Sequence, residues 1–65
     1  MDTSKLSGWQ RQVRQNIRNA FLTATRAELE KALSNYPDDF SKECIREIIA
    51  ECDAAGVDNA GKRPA

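Results

Sequence analysis

Sixty-five residues, 40% apolar and 31% charged, make one domain at most, too apolar for a disordered chain and near the smallest size at which a core suffices. Ten bases balance ten acids, so the strongly basic footprint common to nucleic-acid-binding domains is missing. The absence of histidine removes the commonest general base and the commonest metal ligand together.

The balanced charge is unevenly spread. Residues 1–27 hold Lys5, Arg11, Arg14, Arg18 and Arg26 against Asp2 alone. Residues 28–58 hold three bases against nine acids, and Lys62 and Arg63 follow. Such a dipole selects partners by charge. No apolar run follows the first basic residue, and nowhere do about 18 apolar residues run together. A cytoplasmic protein with no membrane span is therefore expected.

The first helix is predicted over about 5–23, with Ser4 or Ser7 as N-cap. At 100° per residue, with Trp9 at zero, Leu6, Val13, Ile17, Ala20, Phe21 and Ala24 fall within roughly 0–120°. Arg11, Arg14 and Arg18 fall at roughly 140–200°, flanked by Gln and Asn. One face packs and the other meets anions. Thr25-Arg26-Ala27-Glu28 reads as a capping box that opens a second helix over 26–35. Leu29, Ala32, Leu33 and Tyr36 form its inward side, and Arg26 and Glu30 make an i, i+4 pair. A single rod through both helices would put Leu22, Leu29, Leu33 and Tyr36 well away from the first apolar stripe, so a break is predicted at Thr23-Ala24-Thr25.

Pro37 ends the second helix, because the residue before proline is pushed out of helical geometry. Asp38 or Asp39 caps a third helix over 39–55, and Gly56 suits its C-terminal turn. The apolar residues Phe40, Cys44, Ile45, Ile48, Ile49, Cys52 and Ala55 cover roughly half its circumference. Either this helix is central or it meets a second chain. The predicted architecture is therefore all-α: three short helices in a small bundle, one domain over 1–56, and a flexible tail over 57–65.

Cys44 and Cys52 lie eight residues apart on one helix, about 12 Å along its axis. That is too far for a disulfide, and both read as small core residues. Asp38 and Asp39 read as caps. No nucleophile, metal-ligand or phosphate-loop pattern occurs, so neither enzymatic activity nor a cofactor is expected.

Binding is what remains. The leading reading is a small non-enzymatic adaptor, inhibitor or regulatory subunit that holds a partner protein through its amphipathic helices, with Arg11, Arg14, Arg18, Trp9, Ile45 and Ile49 as the contact residues. Trp9 has two roles open to it, a lid over the end of the core or an interface anchor. The spare apolar surface of the third helix implies a homo-oligomer or a stable partner. Glu43, Glu47 and Glu51 form an acidic stripe, and the arginines point away from helix one's own packing face. Pairing between chains, as in a homodimer, is the expectation. The alternative is a DNA- or RNA-binding regulator in which Lys5, Arg11, Arg14 and Arg18 track phosphates, with Gln10, Gln12, Gln15, Asn16 and Asn19 near base edges. The carboxylates of the third helix would repel a nucleic-acid groove, so helix one would do the binding.

Overall fold

Ser7 opens the first helix. Its hydroxyl accepts the Gln10 backbone N–H at 3.1 Å, and the Gln10 side chain accepts the Ser7 N–H at 3.0 Å. This reciprocal pair answers two backbone donors that the helix itself leaves open. The computed structural model describes residues 2–64, and in it helix α1 spans Gly8–Ala20. It is shorter at both ends than the sequence implies. Thr3–Lys5 forms a separate 3-10 turn capped by Asp2, and the chain leaves helical geometry at Phe21.

The break that apolar phase required is present. Helix α2 covers Arg26–Asn35 and begins with the Thr25–Glu28 capping box. It ends at Tyr36, extended at φ −94° and ψ 128° before Pro37. Helix α3 covers Asp39–Ala55. Asp38 caps it by accepting the Ser41 N–H at 2.9 Å, and Gly56 closes it in the left-handed conformation at φ +67°.

The described chain is three helices packed together with no strand. Helix α3 packs against both α1 and α2, and this central place accounts for its wide apolar arc. Leu29, Cys44, Ile45, Ile48 and Cys52 are fully buried, and Ile17, Ala24, Ala32 and Ala60 complete the core. Tyr36 meets Phe21 edge-on, with ring centroids 6.2 Å apart, which ties the end of α2 to the end of α1.

Three expectations need correction. The apolar surplus of α3 is consumed within the chain: Ile45 is wholly buried, so it cannot face a partner, and Ile49 is half-buried. Trp9 is no core lid, because 68% of it is exposed. The cause is a rotation of α1. Its covered residues are Gln10, Val13, Arg14, Ile17, Arg18 and Phe21, an arc centred roughly 50° from the middle of the apolar stripe, on the arginine side. The roll brings two arginines down towards α3 and lifts Trp9 and Ala20 into solvent.

The third correction concerns the C-terminal segment, which is docked rather than frayed. Thr25 and Asn59 form an isolated antiparallel bridge. Arg26 N–H donates to the Asp58 carbonyl at 2.7 Å, and Ala60 N–H donates to the Ala24 carbonyl at 2.8 Å. A second 3-10 turn, Ala60–Lys62, follows, with Asn59 accepting the Gly61 N–H. Backbone hydrogen bonds, the buried Ala60 methyl group, Val57 packed against the core and the Arg63–Glu51 pair hold this segment. None of these leaves a periodic apolar signature in so short a stretch of sequence.

Candidate interaction surface

The arginine stripe divides in two. Arg14 and Arg18 lie on the edge of α1 that rolls against α3, where Glu47 and Glu51 stand one turn apart. Arg14 pairs with Glu47, and Arg18 bonds Glu47 at 2.6 Å and Glu51 at 2.7 Å. Arg63, brought in by the docked C-terminal segment, also pairs with Glu51 and donates from Nε to the Ala60 carbonyl at 2.8 Å. These side chains are only partly exposed, 14% for Glu47 and 21% for Arg18, so solvent screens them less than surface pairs.

The pairing between basic and acidic stripes is therefore intramolecular. The expectation that the arginines point away from these glutamates fails because α1 is rolled. Guanidinium stems are also long enough to bend back from the rim of a packed face. The hydrogen bond from Arg18 holds the Glu51 carboxyl below its ordinary value, and that same bond raises Arg18. Arg14 Nε is buried with no acceptor among the described residues, a cost the network bears.

Arg11 behaves differently. It remains exposed, and it reaches back to the Thr3 and Ser4 carbonyls at 3.3 and 3.4 Å, fastening the first 3-10 turn to α1. Lys5, in that turn, is exposed. The outward face of α1 consists of Arg11, Gln12, Gln15, Asn16 and Asn19, with Trp9 at its N-terminal end. Two amide pairs run along it at i, i+4, Gln12 to Asn16 and Gln15 to Asn19, each at 2.9 Å. This face is ordered, nearly neutral and rich in groups that both donate and accept.

Of the residues singled out from sequence, the structure gathers Arg14 and Arg18 into the internal network and leaves Trp9, Arg11 and Lys5 at the surface. Ile45 and Ile49 join neither group. Sequence reasoning missed Arg63, and it missed the second partner of Arg26. That guanidinium forms the expected pair with Glu30 at 2.6 Å, but it also grips both oxygens of Asp53 on α3, at 2.7 and 3.2 Å. The Arg26 bond draws the Asp53 carboxyl below its usual range, and Asp53 first, then Glu30, raises Arg26. The opposite charges of the two halves were the available signal: basic α1 and acidic α3 neutralise each other.

Among the described residues no group of three or more His, Cys, Asp or Glu is placed to hold a metal ion. Cys44 and Cys52 are fully buried free thiols. Burial pushes the Cys44 thiol up, away from the thiolate form that reacts. Among the described residues no helix is long and apolar enough to cross a membrane. No protein-family model, curated protein or solved structure matches the chain.

Proposed function

We propose that this chain is a small non-enzymatic interaction module, an adaptor or regulatory subunit, that docks a partner protein through the outward face of α1. One observation carries the reading: a tryptophan 68% exposed on a capped, ordered helix. Tryptophan is the residue most enriched among interface hot spots, and a rigid helix presents it at low ordering cost. The amide pairs beside it supply polar contacts of the kind that surround such an anchor. The partner this face suits has an apolar pocket for the indole, ringed by hydrogen-bonding groups. The cytoplasm is the compartment we assign to it.

The nucleic-acid alternative has less support. Arg14 and Arg18 are neutralised by Glu47 and Glu51, so only Lys5 and Arg11 of its four residues remain for phosphates. A homodimer also loses its two original arguments, the spare apolar face of α3 and stripes pairing between chains.

The test is recovery of partners from host lysate by tagged wild-type and Trp9→Ala protein, with and without nuclease. A protein that survives nuclease and moderate salt, and whose recovery falls at least about tenfold in Trp9→Ala, supports the proposal. Loss of all bound material on nuclease treatment overturns it in favour of nucleic acid. Recovery unaffected by Trp9→Ala removes the α1 face from the reading.

A further inference from the structure

A second site lies at the opposite end of α1 from Trp9. Arg18, Leu22, Glu51, Gly61, Arg63 and Pro64 line a shallow cleft of about 320 Å³ between the end of α1, helix α3 and the C-terminal 3-10 turn. That volume is at the lower end of the range for small-molecule sites, roughly 300–1,000 Å³.

Positive charge is in excess at this cleft. Among the described residues that line it, Arg18 and Arg63 stand against the single carboxylate of Glu51. The ion-pair network behind it, with Arg14 and Glu47 outside the lining, joins three guanidiniums to two carboxylates. Arg63 uses Nε on the Ala60 carbonyl and Nη1 on Glu51, and no described residue accepts from its Nη2. Its side chain is only 15% exposed. In such half-dehydrated surroundings a charge-assisted hydrogen bond is stronger than in open water. An apolar surface adjoins these donors: Leu22, 55% exposed, stands on the same cleft as Pro64.

We infer that this cleft binds a carboxylate that bears an apolar group. The carboxylate pairs with the third guanidinium through the open edge of Arg63, and the apolar group covers Leu22 and Pro64. Each half excludes a simpler ligand. Inorganic phosphate gains nothing from Leu22, and an uncharged hydrocarbon leaves the excess positive charge unmet. A free carboxylic acid and the C-terminal residue of a peptide share this chemistry. The site is separate from the outward face of α1 and does not depend on it.

Nitrogen-labelled full-length protein titrated with acetate, N-acetyl-leucine amide and N-acetyl-leucine tests the inference by NMR. The signals to follow are the Gly61 amide and the Nε–H groups of Arg18 and Arg63. N-acetyl-leucine is expected to shift all three saturably and to bind about tenfold more tightly than acetate or the amide. Leu22→Ser, at an exposed position, should abolish that advantage while the rest of the spectrum stays unchanged, and Arg63→Gln should abolish it through the charge. A peptide ending in leucine separates the two sources: tighter binding than N-acetyl-leucine assigns the site to a chain terminus, and weaker binding assigns it to a free acid. No saturable shift, or equal affinity for acetate and N-acetyl-leucine, overturns the inference.

Discussion

Arg18 bonds Glu47 through Nη1 at 2.6 Å and Glu51 through Nη2 at 2.7 Å, so a single guanidinium joins α1 to two successive turns of α3. Arg63 reaches Glu51 from the far end of the chain. The consequence is a fold in which helix docking and the position of the C-terminal segment share one carboxylate. Replacing Arg18 by Met keeps much of the stem but leaves Glu51 and Glu47 short of a partner. The loss expected is about 2 kcal/mol, less than for a fully buried pair because solvent still screens these groups. For a domain of this size that is roughly 8–16 °C in melting temperature. A melt unchanged by Arg18→Met would show that the network contributes nothing to docking.

Acid should destabilise the protein through Glu51 and through two carboxylates outside that network, Asp53 and Asp38. Arg18 lowers Glu51, Arg26 lowers Asp53, and the Ser41 backbone N–H lowers Asp38. A carboxyl lowered by folding contributes stability that is complete above its unfolded value, near 4.5 for glutamate and 3.8 for aspartate. That contribution disappears as pH falls through the lowered folded value. Melting temperature should therefore stay level from neutrality to about pH 5 and fall below it. Glu51→Gln should start lower at neutral pH and decline less steeply. A protein that gains stability on acidification would contradict this account.

The helices were legible because their signals are local. The Thr25–Glu28 capping box, the Tyr36–Pro37 stop and Gly56 each act within one turn of chain, and each stands where its chemistry places it. The roll of α1 was not legible. Hydrophobic periodicity marks an arc, but long arginine side chains at its rim allow the packed arc to slide towards them when carboxylates wait opposite. Glu47 and Glu51 lie about 30 residues away in sequence, and no local pattern connects them to Arg14 or Arg18. The choice between the two roles open to Trp9 was not legible for the same reason, because a side chain at the edge of an apolar arc is the first one a roll exposes.

Gly56 offers a test of backbone geometry free of packing. Its φ of +67° lies in the left-handed region, yet a Cβ built there meets nothing within 4 Å. Gly56→Ala should cost about 1 kcal/mol by backbone strain alone, read as a shift in denaturant midpoint with an unchanged slope. A neutral substitution would mean that the α3 terminus relaxes to another cap.

The docked C-terminal segment predicts a pattern of hydrogen exchange. Arg26 and Ala60 donate their amides to Asp58 and Ala24 across the segment boundary, and Ala60 is 3% exposed. Both amides should exchange far more slowly than those of a frayed terminus. Ala60→Asp places a carboxylate where only a methyl group is buried, and it should release both amides together at a cost of about 2–3 kcal/mol. Fast exchange of the Ala60 amide in the native chain would mean that the segment is not held.

Trp9 separates stability from binding. In a core lid, truncating an indole removes much buried area and costs several kcal/mol, of the order of 3–5 for a fully buried tryptophan. At 68% exposure most of that area already faces water, so Trp9→Ala should change unfolding free energy by no more than about 0.5 kcal/mol. Intrinsic fluorescence gives an independent check, since Trp9 is the only tryptophan. Its emission should be that of a hydrated indole in the free protein and should shift to the blue when a partner covers it. A strongly destabilised Trp9→Ala chain, or blue-shifted emission in the isolated monomer, would return Trp9 to the core and remove the anchor from the proposed interface.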